Sequence, residues 1–274
     1  MMKKPVAYQI YSAREQAEKD LDSVLATLKS LGYDGVEFAG FYGNTAEQIS
    51  ALLKKHSLIA ISSHVPFSTI ETDMAGTIAF HKAIGCKFIA IPYLDDNTRP
   101  GAKGFAKTIA AIYQFGQMTK EAGITLLYHN HDFEFITMSE QYGLDFLYDA
   151  VPADLLKTEI DVCWVKYAGL VPADYIREYA GRCPVVHLKD YVGVKGGATP
   201  YGLIGLDEEE KKGDIAFEFR PVGHGSQDVK SILEAGIESG AEWFVVEQDM
   251  PAPGSTPLED AKKSIETLKG LGLK

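Results

Sequence analysis

Four short segments in the second half of the chain end in residues that a hydrophobic core does not accommodate. ITLLYHNH places His129 and His131 two apart, LLKTEIDVCW does the same for Glu159 and Asp161, VVHLKD for His187 and Lys189, and FVVEQD for Glu247 and Asp249. Residues two apart on an extended chain point to the same side, so each segment offers a polar pair on one face. Carboxylates gathered out of water lose hydration and repel one another. A divalent cation offsets both costs, and imidazole and carboxylate groups from consecutive segments form an N/O ligand set with positions left open. Oxygen-rich ligation with one or two imidazoles favours Mn²⁺, Co²⁺ or Mg²⁺, and Zn²⁺ is compatible.

The elements that must position these residues follow from periodicity. Strands are predicted at Val6–Tyr11, Gly35–Phe38, Ile59–His64, Phe88–Tyr93, Ile124–His129, Leu156–Asp161, Pro184–Leu188 and Trp243–Glu247, separated by amphipathic helical stretches. Between the first two, Ala17, Leu21, Val24, Leu25, Leu28 and Leu31 recur at helical spacing and Gly32 is placed to cap the helix. Eight strand–helix alternations predict an α/β (β/α)₈ TIM barrel, whose C-terminal mouth receives the polar strand ends. The rival, an open doubly wound sheet, would usually carry GxGxxG after the first strand, and none is present.

Other candidates are placed by the same frame. Glu37 ends strand two in GVEFAG and His64 ends strand three, each divided between ligand contact and hydrogen bonding at the rim. Five of the seven histidines fall at strand ends or in βα loops; His56 and His81 fall in helical stretches and are expected at the surface. Cys163 is expected to fill core space, with nothing adjacent to activate it. Residues 190–227 break the rhythm as a long glycine-rich insertion after strand seven, on the side where loops cover active sites. Phe217, Phe219 and Val222 suggest an anchored end; the charge cluster Asp207–Lys212 suggests a surface excursion.

The 274 residues are read as one domain, since a single barrel of about 250 residues fits that length. A net charge of −11 argues against nucleic acid and anionic membranes as partners, because both need clustered basic surface. Three widely spaced cysteines make neither a disulfide framework nor a thiolate zinc site. Gln9, Ser12 and Arg14 interrupt any apolar leader segment, so the sequence reads as soluble and cytoplasmic. A homo-oligomer is compatible with all of this.

The ordered segments GYDGVEF, GITLLYHNHDFEF, TEIDVCWVKYAG, GRCPVVHLKD, PVGHGSQD and WFVVEQD resemble the xylose isomerase-like TIM-barrel superfamily. That superfamily includes sugar isomerases and epimerases, inosose dehydratase and endonuclease IV. In its epimerase branch one divalent metal is held by Glu, Asp, His and Glu from strands five to eight. Asp161, His187 and Glu247 match the last three; where relatives carry a glutamate, often within ENH, this chain has HNH, so His129 (or His131) takes that place. The combination YHNH…ExDxxW…HLKD resembles most the branch of uncharacterised sugar isomerases and inosose dehydratase-like proteins.

It implies a metal-dependent isomerase or epimerase acting on a sugar or cyclitol by proton abstraction next to a carbonyl, through an enediolate. Glu247 would be ligand and base, His131 or Glu37 the opposing acid or base, and Lys189 would steady an oxyanion or pair with Glu159 or Asp161. His64, Trp164, Glu159 and His224 would contact substrate; His224 stands where relatives commonly have the glutamate of GEG. The alternatives are a dehydratase or lyase on a keto-sugar or keto-inositol, and a non-catalytic sugar- or metal-binding barrel. A nuclease fits the charge poorly. No clear glycine-rich phosphate cradle follows strands seven and eight, although GHGSQ has backbone N–H groups to present.

Overall fold

The computed structural model describes residues 3–195, 200 and 217–274. Twelve strands occur among them: β1 Val6–Gln9, β2 Gly35–Phe38, β3 Ile59–Ser63, β4 Phe88–Ile91, β5 Thr125–His129, β6 Thr137–Met138, β7 Gln141–Tyr142, β8 Lys157–Asp161, β9 Val185–Leu188, β10 Asp190–Gly193, β11 Phe217–Arg220 and β12 Trp243–Val246. Eight of these form one parallel sheet in the order β3-β2-β1-β12-β9-β8-β5-β4. A bridge from His64 to Ala90 joins its two edges and closes the barrel. All eight barrel strands overlap the runs read from the sequence.

Alternation along the strands divides the barrel into layers. Ala7, Ile61, Phe88, Ala90, Leu127, Val185 and Val245 form an apolar cluster with Trp243 against it. Their neighbours in sequence (Val6, Tyr8, Ala60, Ile89, Leu126, Tyr128, Val186, Phe244 and Val246) belong to the larger core that packs the helices. Two residues beyond the inner apolar positions come Gln9, Ser63, His129, His187 and Glu247, all buried. The period of two therefore carries the polar groups into one layer toward the strand C-termini. Gly35 is required near the barrel's other end, because a Cβ there would lie 2.7 Å from the Ile59 carbonyl oxygen and 2.8 Å from Ile61.

The first helix, Arg14–Leu31, buries Ala17, Leu21, Val24, Leu25 and Leu28, and Gly32 closes it at φ +102° as the spacing predicts. His81 departs from expectation: it is buried, its Nδ1 2.7 Å from the Thr77 carbonyl and its ring against Phe41. Helical periodicity gave it a polar position, but the βα loop carrying Phe41 covers that face. His56 is half-buried and pairs with Asp22 at 2.6 Å.

The insertion after β9 begins and ends as an antiparallel hairpin, β10 against β11. Phe217, Phe219 and Val222 are buried, as the anchored-end reading requires. Phe217 stacks on Trp164 and Tyr191, and Phe219 meets Trp164 edge-on. The Asp190 carboxylate accepts the N–H groups of Gly223, Gly225 and Gln227, each at 3.0 Å. A Cβ on Gly225 would fall 2.2 Å from that carboxylate, so the turn needs glycine there. The charge cluster Asp207–Lys212 lies outside the described residues. Among the described residues no helix is long and apolar enough to cross a membrane.

Candidate metal centre and pocket

A pocket of about 320 Å³ opens at the mouth, lined by Tyr11, Ala39, Gly40, His64, Pro66, Pro92, Tyr93, His129, His131, Lys189, Glu247 and Asp249. Beside it, ligand atoms of His129, Asp161, His187 and Glu247 lie within 4.8 Å of one another, all on buried residues. These four come from β5, β8, β9 and the end of β12, so the alternation that builds the barrel also assembles the cluster.

The donor set fits a divalent ion. Oδ1 of Asp161 caps the following helix by accepting from Cys163 N (2.7 Å) and Trp164 N (3.4 Å). Its Oδ2 is buried and makes no hydrogen bond among the described residues, although Lys189 Nζ (3.3 Å) and His129 Nε2 (3.6 Å) are near. Nδ1 of His187 is 3.0 Å from Glu247 Oε2. Two imidazoles and two carboxylates match the hard-to-borderline ligands of Mn²⁺, Co²⁺, Mg²⁺ or Zn²⁺. An ion there would also relieve the unpaired Asp161 oxygen.

Lys189 is a cation at this layer, beside His187, whose imidazole burial would keep neutral but which Glu37, Glu159 and Glu247 push well above its ordinary pKa. The Lys189 Nζ lies 2.7 Å from Asp249, 3.0 Å from Glu247 and 3.3 Å from Asp161. Of the two alternative sequence-derived partners, the structure brings it to Asp161 and not to Glu159. Burial opposes charge on Lys189, yet Asp249, Glu247 and Asp161 outweigh it and push its pKa well above the usual lysine range. Burial likewise opposes charge on Glu247, but Lys189 and His187 hold it well below the carboxylate range. Asp161 is pushed up to about 6, chiefly by burial. Burial takes His129 down to about 3 and His131 well below its ordinary value, which favours the uncharged ring in both.

The remaining sequence-derived residues separate. His131 lines the pocket, its ring stacked on Phe133 at 5.1 Å and its buried Nδ1 without a hydrogen-bond partner among the described residues. His64 also lines it. Glu37 and Glu159 are fully buried and do not line it. Trp164 is fully buried beneath Lys189 and between Phe217 and His131, so its faces are taken by protein rather than offered to a ligand. His224 is exposed and does not line the pocket, and the neighbouring backbone N–H groups of Gly223, Gly225 and Gln227 serve Asp190, so GHGSQ is no phosphate cradle. Cys163 is buried and burial raises its thiol pKa well above normal, which suits core filling.

Sequence reasoning passed over Gln9, Tyr11, Tyr93 and Glu134. Gln9 was available from parity, two residues beyond Ala7; the two tyrosines follow strand ends and carry no chemical signature. Glu134 is fully buried, accepting from Tyr128 Oη at 2.6 Å and from the His131 N–H at 2.7 Å. It thereby fixes the turn that carries His131. Burial pushes its pKa up to about 8. A carboxyl with a raised folded-state pKa binds more protons folded than unfolded, so its contribution to stability falls as pH rises from about 4.5 to about 8. We expect Glu134→Gln to remove this part of the pH dependence, at most about 1.4 kcal/mol per pH unit. Thermal melts of both proteins from pH 5 to 8 check it; parallel curves would show that Glu134 does not titrate there.

The family model of the xylose isomerase-like TIM barrel matches residues 25–271. The chain belongs to that family. It is 22% identical over 277 residues to an inosose dehydratase of Clostridium botulinum (strain Alaska E43 / Type E3), covering 92% of this chain and 90% of the relative. Among solved structures it superimposes on a sugar phosphate isomerase/epimerase from Parabacteroides distasonis ATCC 8503 with a TM-score of 0.78, at 19% identity, covering 98% of this chain and 94% of the other. A D-allulose 3-epimerase from Methylomonas sp. gives a TM-score of 0.71 at 12% identity and 99% coverage of both chains. At these identities the structural likenesses establish the fold.

Proposed function

We propose that this member of the family is a divalent-metal-dependent enzyme acting on an uncharged keto-sugar or keto-cyclitol. It removes the proton next to the carbonyl and expels a neighbouring hydroxyl as water. The observation that carries the reading is the convergence of His129, Asp161, His187 and Glu247 beside a pocket of monosaccharide size. When bound, the ion supplies Lewis-acid stabilisation of the enediolate.

The chain's own residues supply the rest. His131 takes the proton from carbon, the electron pair moves toward the carbonyl, and the returning pair expels the β-hydroxyl, which leaves as water with the proton from His131. Lys189 steadies the oxygen on which charge develops. The apolar walls from Tyr11, Pro66, Pro92 and Tyr93 suit the faces of a polyol ring. Among the described residues Lys189 is the only lysine or arginine lining the pocket, and three carboxylates already engage it, which disfavours a phosphorylated substrate.

Isomerisation or epimerisation is the second reading, favoured by the placement of both His131 and Glu247 at the pocket as two proton-handling groups. Elimination is preferred because His129 replaces the first of the two metal-bound glutamates that a symmetric exchange uses. The Mn²⁺-reconstituted protein should be offered a keto-inositol and ketohexoses in D₂O. Loss of one water supports elimination. Unchanged elemental composition with deuterium on carbon supports the second reading, and absence of both across the panel defeats the proposal. Faster turnover of a sugar phosphate than of its parent sugar would overturn the substrate class.

A further inference from the structure

His129 and His187 each turn their two ring nitrogens toward different carboxylates. His129 faces Asp161 with Nε2 (3.6 Å) and Glu159 with Nδ1 (3.4 Å). His187 faces Glu247 with Nδ1 (3.0 Å) and Glu37 with Nε2 (2.6 Å). His129 Nδ1 and His187 Nε2 are buried and approach Glu159 and Glu37 without an aligned hydrogen bond among the described residues. The first partner in each case belongs to the candidate ligand set; the second is fully buried away from the pocket. Among the described residues Glu159 is the only acidic side chain within 4.0 Å of His129 Nδ1, and Glu37 and Glu159 are the only two near His187 Nε2.

His64 joins the two deep carboxylates. Its Nε2 is 2.8 Å from Glu159 and 3.3 Å from Glu37, and its ring stacks on His187 at 5.3 Å and meets His129 edge-on at 4.7 Å. Gln9 holds Glu37 from the other side, donating from Nε2 at 2.8 Å.

We propose that Glu37, Glu159 and His64 form an outer clamp around the metal centre, Glu159 orienting the ring of His129 and Glu37 that of His187, with His64 setting the separation of the two carboxylates. The proposal rests on the reading that His129 and His187 are metal ligands. A liganding imidazole carries its proton on the other nitrogen, and a carboxylate opposite that nitrogen fixes the tautomer, aims the ring and strengthens the donor. Because Glu37 and Glu159 have no exposed surface, they act through the ligands as positioning residues. This differs from the sequence-level expectation of acid–base work for Glu37 and substrate contact for Glu159 and His64. The rival arrangement is a second ion held by His64, His129, Glu159 and His187, whose ligand atoms also lie within 4.8 Å of one another. With the first site filled as well, both shared imidazoles would have to bind through both nitrogens and lose their ring protons.

The test is equilibrium titration of the full chain with Mn²⁺, free ion being read by its paramagnetic resonance, together with the visible spectrum of the Co²⁺-loaded protein. Glu159→Gln, Glu37→Gln and His64→Gln are compared with the unaltered chain, and thermal melts confirm folding; any variant that folds carries the test. The expected result is one ion per chain throughout, with Kd raised about 10–100-fold in the variants and shifted Co²⁺ bands. Unchanged Kd and spectrum would overturn the clamp while leaving the metal-dependent reading intact. Two ions in the unaltered chain, one of them lost in Glu159→Gln, would overturn it in favour of a second metal site. No binding by the unaltered chain would remove the metal centre itself, and the clamp with it.

Discussion

Asp161→Asn is expected to leave the chain folded, to weaken divalent-metal binding by on the order of 100-fold or more, and to lower turnover roughly a thousandfold. The two oxygens of this carboxylate do separate things. Oδ1 caps the helix Val162–Tyr167, a role worth about 1 kcal/mol that asparagine retains. Oδ2 is buried, lacks a hydrogen bond among the described residues and faces His129, so replacing it by an amide N–H₂ removes a ligand and puts a donor in its place. Asp161→Ala would lose the cap as well and confuse the two effects. Elemental analysis of both proteins, with melting curves beside it, decides the matter. Full metal content and full turnover in Asp161→Asn would sink the assignment of the centre.

The second large effect concerns Lys189, the ammonium among Asp161, Glu247 and Asp249. In Lys189→Met the stem volume is kept and the charge is lost, leaving buried carboxylates uncompensated. Breaking a buried ion pair from one side costs about 3–5 kcal/mol, and a loss of that size is expected in chelator-treated protein at neutral pH. The sign with pH follows from the carboxylates. Asp161 and Asp249 are already raised by burial, opposed by Lys189; without it they rise further and bind more protons folded than unfolded. The deficit should therefore shrink as pH falls and protonates them. A divalent ion, supplying positive charge at the same place, should restore much of the lost stability. Urea unfolding of both proteins at two pH values, with and without Mn²⁺, reads all three effects. A variant as stable as its parent without metal would mean that Lys189 does not compensate these carboxylates.

The sequence by itself determined the barrel and the layer in which its chemistry sits. Strand parity is a local property: Leu127 and His129, or Val185 and His187, share a face wherever the strand is placed, and eight repeats of strand and helix leave few ways to bury it. Hence the eight strands, the Gly32 cap and the polar strand ends were legible. Parity also sets Glu159 one layer deeper than Asp161; what it does not carry is which nitrogen of a ring faces which carboxylate. Glu37, Glu159 and His64 were readable as inward-facing groups. Glu37 and His64 come from the neighbouring β2 and the end of β3, but Glu159 on β8 lies far from them in the chain and in the sheet and reaches them only across the closed barrel. Trp164 and His224 could not be placed from the sequence either. The hairpin after β9 covers the first, and Asp190 gathers the backbone around the second. Both outcomes depend on long-range packing of the insertion, for which strand and helix periodicity supply no rule.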